Sequence, residues 1–234
     1  MASHHSPRIV TDGLAFAWDI VNPRSYPGSG TAITNLIPGS EDLTIVNATA
    51  VSGSTNGGGA IAMDGAGDYL SFAATTFETV YTFSIWHKAK ISSPSSSDPY
   101  GYGYLFAGVS PRTGIAVSEG GTSGTITPGQ YYLHNDGASS DAISSTVATD
   151  DTWGHVTVVI DTTSASNNIK FYWNGVLNQT TSFNTSQRKY QEFGRYNQST
   201  WYVNGELAAC TIHNRELSAE EVLQNYNALK GRFV

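Results

Sequence analysis

Residues 81–88 read Tyr81-Thr82-Phe83-Ser84-Ile85-Trp86-His87-Lys88. Successive side chains of a strand point to opposite sides, so every second residue from Tyr81 to His87 shares one side. We expect that side to face the core, because period-two alternation is typical of a strand in a packed sheet. The other side carries Trp86, whose large apolar surface leads us to expect cover from a neighbouring loop.

Short runs of the same kind recur along nearly the whole chain, separated by turn sequences rich in Gly, Pro, Asn and Asp. The composition agrees, with 24 Gly, 12% aromatic residues and only 13% charged residues. Asn174-Gly175 is the pair that a type I′ hairpin turn favours, because both positions need positive φ. No shift in composition marks a linker, so the sequence predicts one domain. The other predicted strands lie at 14–18, 43–46, 60–63, 68–72, 104–106, 114–117, 130–133, 155–160, 169–173 and 207–212.

One helix is predicted, at residues 218–230. Ser218 and Glu221 have the spacing of a capping box, and Leu217 and Val222 that of a hydrophobic staple. An apolar stripe then follows at helical spacing, so we expect the helix to pack on the sandwich. The sequence thus predicts an all-β, two-sheet antiparallel sandwich with one short C-terminal helix. Residues 1–10 are predicted to be an N-terminal arm, and residues 11–234 the single domain.

Charge and hydropathy exclude several classes of protein. A net charge of −7 without a stripe of Lys and Arg argues against binding to nucleic acid. We expect no membrane span, because no stretch reaches about 18 apolar residues. The N-terminal residues lack the features of a signal peptide, so we expect synthesis in a cytoplasm. The one cysteine, Cys210, is expected to be a small buried side chain.

Several segments stand in a characteristic order along the chain: 11–14, 22–30, Met63-Asp64-Gly65-Ala66-Gly67-Asp68-Tyr69-Leu70, 81–86, Trp153-Gly154-His155-Val156, Phe171-Tyr172-Trp173-Asn174-Gly175 and 212–221. Together they resemble concanavalin A-like, laminin-G-like jelly-roll domains of the kind found in bacteriophage and other viral structural proteins. The resemblance covers nearly the whole chain and implies two curved antiparallel sheets stacked as a jelly roll. It departs at Glu206 and His213, where the family more often has Asp and Tyr.

Catalytic relatives of this fold, by the same resemblance, hydrolyse glycans with carboxylates spaced Glu-x-Asp-x-x-Glu on one strand. The sequence lacks that pattern, and it also lacks a nucleophile elbow, a phosphate loop and a His-Glu-x-x-His zinc motif. We therefore predict that the protein is not an enzyme.

Three aspartates are weak candidates for Ca²⁺ ligands. Asp64 and Asp68 flank a glycine turn, with Asp19 as a third candidate, and their carboxylate oxygens suit this hard cation. The alternative, which we favour, is that Asp64 and Asp68 accept hydrogen bonds from turn amides. No other cofactor is predicted.

Aromatic residues in predicted loops form the second set of candidates. Exposed rings stack on sugars or anchor protein interfaces, because each offers a large contact area at small entropic cost. The alternative for each ring is packing within its own turn. The candidates for glycan or protein contact are Tyr26, Tyr100, Tyr102, Tyr104, Trp201 and Tyr202.

The resemblance implies a virion structural protein, most simply a capsid decoration or appendage protein located in the virus particle. Its partners would be the major capsid protein or other virion proteins, or a second copy of the chain in a homo-oligomer. Residues 2–10 and the C-terminal Arg232-Phe233-Val234 would then be assembly contacts. The alternative is a lectin-like module of a phage fibre that binds a host polysaccharide, and a cellular adhesion domain is a third reading.

Overall fold

The computed structural model describes residues 7–51, 59–92, 101–109, 113–120, 127–134, 141–145, 148–196 and 201–234. Its strands are β1 (Leu14–Asp19), β2 (Ala32–Ile33), β3 (Leu43–Val46), β4 (Thr49–Val51), β5 (Ala60–Asp64), β6 (Tyr69–Thr76), β7 (Val80–Ala89), β8 (Tyr102–Gly108), β9 (Gly114–Ser118), β10 (Tyr131–His134), β11 (Ala142–Ile143), β12 (Thr152–Asp161), β13 (Ile169–Trp173), β14 (Val176–Thr181), β15 (Lys189–Phe193) and β16 (Asn204–His213). The helix α1 spans Ala219–Leu229, and a 3₁₀ turn follows at Lys230–Arg232.

The strands form two antiparallel sheets of eight strands each, which confirms the predicted sandwich. The first sheet has the order β14-β13-β12-β7-β16-β5-β4, and β1 also pairs with β16. The second sheet has the order β11-β10-β9-β8-β15-β6-β3-β2. One edge of β16 pairs with β7, while its other edge pairs first with β5 and then with β1. We call the side of each sheet that faces away from the other sheet its outer side.

The core between the sheets is built around phenylalanine rings. Phe106 of β8 lies 4.9 Å from Phe83 of β7 and 4.9 Å from Phe193 of β15, measured between ring centroids. Phe16 and Phe72 extend the cluster on the other side of Phe193, at 6.1 and 5.6 Å. Offset and tilted rings at these separations attract each other in addition to burying apolar area. The aromatic cluster therefore joins both sheets at the middle of the sandwich.

Strand β7 is buried on both of its sides. On the core side, as predicted, the Tyr81 hydroxyl lies 2.6 Å from the Tyr190 hydroxyl. On the outer side, the cover over Trp86 is not a loop: its ring stacks on Tyr226 of α1 at 5.5 Å and on Phe233 at 4.5 Å. The C-terminal helix and the residues after it thus close the outer side of the first sheet.

The predicted local motifs are present. Asn174 and Gly175 have φ of 49° and 83°, as a type I′ turn requires. Ser218 caps α1 and forms the full capping box with Glu221. The helix α1 ends at Leu229 and continues as the 3₁₀ turn, so it is not terminated by a glycine with positive φ. In the part of the chain that the structure describes, no helix is both long and apolar enough to cross a membrane.

Both predicted assembly segments have residues that pack on their own domain, so for those residues the prediction is wrong. Val10 is 8% exposed and belongs to an apolar cluster with Leu217 and Val222. Its amide donates to Asn225 Oδ1 at 2.7 Å, and its carbonyl accepts from His213 Nε2 at 2.9 Å. The C-terminal Phe233 is 6% exposed beneath the helix. Residues 1–6 of the predicted arm lie outside the described residues.

Candidate functional site

The outer side of the second sheet carries a cluster of aromatic rings that is separate from the main core. Tyr102 and Tyr104 lie two residues apart on β8, so both point to the same side of the sheet. Tyr132 and His134 do the same on β10. Between them, Ala116 of β9 pairs with both Tyr104 and Tyr132. Because Ala116 is small, the rings of β8 and β10 contact each other above it. The ring centroids are 5.2 Å apart for Tyr102 and Tyr132, and 5.4 Å apart for Tyr104 and His134.

The segment between β15 and β16 adds two more rings. Tyr196 lies 4.8 Å from Tyr104, and Trp201 stacks on Tyr104 at 5.8 Å with an interplanar angle of 12°. Tyr196 and Trp201 also stack on each other at 4.9 Å. Backbone hydrogen bonds connect Gly194 and Trp201 to β8: the Tyr104 amide donates to the Trp201 carbonyl, and the Gly194 amide donates to the Tyr104 carbonyl. We call the joined surface the aromatic face: Tyr102, Tyr104, Tyr132, His134, Tyr196 and Trp201.

The aromatic face has a buried base and a more exposed upper layer. Tyr104 is 1% exposed and Tyr196 6% exposed, so they support the other rings. Tyr102 and Trp201 are partly exposed and present ring surface to solvent. Trp201 also has a φ of 57°, in the left-handed region, which residues other than Gly, Asn and Asp rarely adopt. Such backbone strain persists only where the surroundings hold it, and it is concentrated at functional positions.

An ion pair borders the aromatic face. Arg195 donates through Nη2 and Nε to the carboxylate of Glu192, at 2.7 and 3.1 Å. Its guanidinium lies 3.3 Å from the centroid of the Tyr69 ring. Burial acts to lower the pKa of Arg195, but hydrogen bonds to Glu192 and Tyr202 raise it, so the group stays charged. Tyr69 and Tyr202, both partly exposed, are therefore held beside a fixed cation.

Two of the carboxylates in this region are paired with a basic side chain. Glu192 is bound by Arg195 as described, and Asp141 Oδ1 lies 2.8 Å from His134 Nδ1. The buried Glu119 accepts a hydrogen bond from the Asn204 amide at 2.8 Å. Both pairs therefore fix the side chains of Arg195 and His134 beside the aromatic face.

The structure brings together part of the predicted aromatic set. Tyr102, Tyr104 and Trp201 meet in the aromatic face, and Tyr202 lies beside it near Arg195. Tyr102 belongs to β8 instead of the predicted loop, and Tyr104 is buried instead of exposed, because the neighbouring rings cover it.

One of the predicted aromatic candidates lies in another part of the structure. Tyr26 is buried in the main core, 7% exposed, and its hydroxyl donates to the Gly30 carbonyl at 3.1 Å. Tyr26 therefore packs within its own turn, which was the alternative for each ring, and it is not exposed for contact with a ligand. Tyr100 lies outside the described residues.

Sequence reasoning missed four residues of this region: Tyr69, Tyr132, His134 and Tyr196. Tyr132 follows another tyrosine, Tyr131, and the two point to opposite sides of β10. Composition alone cannot decide which of two adjacent tyrosines faces the core. The alternation from Tyr132 to His134 is the one pattern that could have indicated a shared outer surface.

The aspartate candidates do not form one cluster. Asp64 Oδ1 accepts from the Ala66 amide at 2.7 Å, and Asp68 Oδ2 accepts from the Asp64 amide at 3.0 Å. Burial, followed by the charge of Asp64, raises the pKa of Asp68. Asp19 is paired with Arg232, at 2.7 and 2.9 Å, and contacts neither of the other two aspartates.

The strand register shows how far apart these aspartates are. Asp19 pairs with Ala209 of β16 and Asp64 pairs with Asn204, which is roughly 16 Å farther along the strand. The described residues contain no group of three His, Cys, Asp or Glu side chains able to hold a metal ion. Asp64 and Asp68 alone fall short of the six to eight oxygen ligands that Ca²⁺ takes. Calcium binding at this pair stays a prediction, and including Asp19 in it was wrong.

Comparison with known proteins agrees with the fold. A family model described as the concanavalin A-like lectin/glucanases superfamily matches residues 64–223. No curated protein matches the chain significantly.

Solved structures provide the other similarities. Domain 4 of AbnA, an extracellular arabinanase from Geobacillus stearothermophilus solved with arabinotriose, has a TM-score of 0.60 at 15% identity, covering 91% of this chain and 98% of that one. The Trypanosoma rangeli sialidase has a TM-score of 0.62 at 12% identity, with 97% of this chain but only 36% of the sialidase covered. The binding domain of botulinum neurotoxin DC, in complex with SialylT, has a TM-score of 0.63 at 13% identity, with 93% and 52% covered. At these identities the similarity shows the fold.

Proposed function

Because this chain belongs to the concanavalin A-like lectin/glucanases superfamily, we propose that it is a domain that binds a polysaccharide without cleaving it. The observation that carries the proposal is the aromatic face, in which Tyr102 and Trp201 present ring surface above a buried base. Sugar rings have apolar faces of C–H groups that pack on aromatic rings, while their hydroxyls bond to polar side chains at the rim. A rigid base reduces the entropy lost on binding, because the rings are already ordered.

The similar structures support a sugar as the ligand. Domain 4 of AbnA was solved with arabinotriose, and the toxin binding domain was solved with SialylT. Both cover more than 90% of this chain in the comparison, so the likeness extends over the whole sandwich. The site on this chain is argued from its own rings, since the low identities carry over no residue.

The pairing of the carboxylates supports binding without hydrolysis. Cleavage of a glycosidic bond needs two carboxyl groups across the bond, one free to donate a proton and one free to attack or to activate water. Among the described residues near the aromatic face, Glu192 is held by Arg195, Asp141 by His134, and Glu119 by a backbone amide. Glu192 and Asp141 would each have to break a side-chain pair before they could act.

The proposal is tested by removing the two partly exposed rings. The protein is first screened on a glycan array, and the affinity for the best oligosaccharide is measured by calorimetry. We expect Trp201→Ala and Tyr102→Ala each to weaken binding about tenfold or more, a loss of about 1.4 kcal/mol. The matched control is Tyr226→Ala, which removes a partly exposed ring from the helix on the opposite sheet.

Two results would contradict the proposal. Unchanged affinity in both variants, with thermal melting showing that they are folded, would place the sugar elsewhere or show that the ligand is not a sugar. Release of reducing ends from the bound polysaccharide would show that the domain is an enzyme.

The role of a capsid decoration or appendage protein is a prediction from the sequence resemblance alone. It is compatible with sugar binding, because a surface protein of a particle can hold a polysaccharide. Purified protein added to capsids that lack it would bind at a fixed, saturable copy number if this role is correct. Failure to bind would leave polysaccharide recognition as the whole function.

A further inference from the structure

The segment between β15 and β16 reaches the outer side of the second sheet at two places. Tyr196 and Trp201 contact β8 as part of the aromatic face. Their neighbours in the chain, Arg195 and Tyr202, are hydrogen-bonded to each other through their side chains. Arg195 also lies against the Tyr69 ring of β6, so the segment connects β8 with β6.

Tyr69 lies on the same side of the second sheet as the aromatic face. Leu70 and Phe72 of β6 belong to the main core. Because the side chains of a strand alternate, Phe72 belongs to the core through the irregular pairing of β6, and Tyr69, next to the fully buried Leu70, points to the outer side. Tyr69 is partly exposed there, as is Tyr202. We call Tyr69 and Tyr202 the second ring pair.

The second ring pair stands apart from the rings of β8. Strand β15 lies between β8 and β6 in the sheet. Two strand spacings therefore place β6 about 10 Å from β8. This distance is greater than the width of one sugar ring, so rings on β8 and on β6 can contact different units of one sugar chain.

Arg195 fixes the second ring pair in position. Its guanidinium covers one face of the Tyr69 ring at 3.3 Å from the centroid, and it is bound by both oxygens of Glu192 at 2.7 and 3.1 Å. The side chains of Arg195 and Glu192 are 11% and 5% exposed. The cost of taking both charges out of water offsets their attraction, so such a pair adds little net stability. It does hold both side chains in one geometry.

We propose that the second ring pair is a further subsite of the carbohydrate site, so that the site binds several linked sugars of a polysaccharide chain and not a single sugar. One sugar packs on Tyr102 and Trp201, and a later unit of the same chain packs on Tyr69. Arg195 is a positioning residue, because it acts through Tyr69 and Tyr202. The inference rests on the proposed function, since it concerns the same side of the second sheet.

Binding at both places predicts an affinity that rises with the length of the sugar chain. The second contact is made by a molecule that is already bound, so it adds affinity without a second loss of translational freedom. A disaccharide is too short to reach from the rings of β8 to Tyr69. The ratio of hexasaccharide affinity to disaccharide affinity is therefore the measurement that reports on the second ring pair.

The probes are disaccharides and hexasaccharides of arabinan, xylan, mannan, cellulose and amylose, and those of any further polysaccharide that the glycan array identifies. We expect the natural protein to bind one hexasaccharide at least about tenfold more tightly than its disaccharide. Tyr69→Ala should weaken hexasaccharide binding about tenfold, through the loss of one stacked ring, and leave disaccharide binding unchanged. Trp201→Ala should weaken both. The matched control is Tyr69→Phe, which keeps the ring and should keep the natural ratio.

Arg195→Lys tests the positioning role, because lysine keeps the charge but lacks the planar fork that binds Glu192 and covers Tyr69. We expect the ratio of the two affinities to fall towards that of Tyr69→Ala, with disaccharide binding unchanged. A general loss of folding would instead weaken both sugars equally and lower the melting temperature. Equal weakening of both sugars would therefore contradict the positioning role.

A further measurement uses the natural protein, so it does not depend on a variant that folds. In protein with isotope-labelled tyrosine, the Tyr69 ring resonance, assigned by its loss in Tyr69→Phe, should shift with the hexasaccharide and not with the disaccharide. The inference is overturned if this resonance does not move, or if Tyr69→Ala binds the hexasaccharide as tightly as the natural protein does. In either case the loss of binding in Trp201→Ala would leave the proposed function standing. If no sugar binds the natural protein, the proposed function itself fails.

Discussion

Each sheet of the sandwich has aromatic side chains on its outer side. Among the described residues, α1 and Phe233 cover those of the first sheet, while the rings of the second sheet cover one another. Trp86 lies beneath α1 and Phe233 and is 1% exposed. Trp201, on the outer side of the second sheet, stacks on Tyr104 and Tyr196 and is partly exposed. The same residue type therefore stabilises the fold on one side and is available for binding on the other. What differs is the cover, which the C-terminal residues provide.

The largest expected effect is on the covered side. Trp86→Ala removes a ring that fills the space between β7 and the C-terminal residues, and it should lower the free energy of unfolding by about 3–5 kcal/mol. Trp201→Ala should lower it by about 1 kcal/mol, because a partly exposed ring buries less area. Urea unfolding of the two variants, followed by circular dichroism, measures both values. Equal losses would show that the two outer sides are packed alike.

The last residues of the chain test the origin of that cover. Phe233→Ala should lower the free energy of unfolding by about 3 kcal/mol, the lower end of the range for a buried phenylalanine, since it removes the ring that contacts Trp86 and Trp153. Val234→Ala is the control, because Val234 is 56% exposed and its loss should change stability by less than about 0.5 kcal/mol. If Phe233→Ala is as stable as the control, the helix alone covers the sheet.

Local signals in the sequence were sufficient for the helix and for most of the longer strands, but they missed β2, β4, β11, β14 and β15 and did not show what covers each sheet. The alternation from Tyr81, the turn at Asn174-Gly175 and the capping box at Ser218 each depend on a few adjacent residues, and each is present. The aromatic face depends on contacts between distant segments, such as Tyr104 with Trp201. Those contacts follow from the order of strands in the sheet, which no local pattern contains.

The first sheet also predicts sensitivity to acid, through His155 on its outer side and His87 on its core side. Burial lowers the pKa of His155 and of His87 to about 3, from 6.5. Between these values the unfolded chain binds more protons than the folded chain, so stability falls as the pH falls from 6.5 towards 3, and it does not change from this cause above 6.5. At pH 4.5 each histidine should reduce the free energy of unfolding by about 3 kcal/mol.

His155→Gln tests this account, because the variant keeps a polar side chain that does not titrate. Its melting temperature should fall less than that of the natural protein between pH 6.5 and 4.5. Parallel curves for the two proteins would mean that His155 is accessible to water, and that the first sheet is covered less tightly than the structure indicates.

The smallest effect concerns the backbone of Trp201, whose φ of 57° is a conformation that glycine adopts without strain. Trp201→Ala and Trp201→Gly both lose the ring, but only the alanine variant keeps the strain, so the glycine variant should be more stable by about 1 kcal/mol. Both should bind the oligosaccharide equally weakly, because the ring and not the backbone makes the contact. A chain that carries tryptophan where glycine is less strained gives up stability for the ring, which agrees with a binding role. If the alanine variant is the more stable of the two, Trp201 is not strained and that argument for the aromatic face is lost.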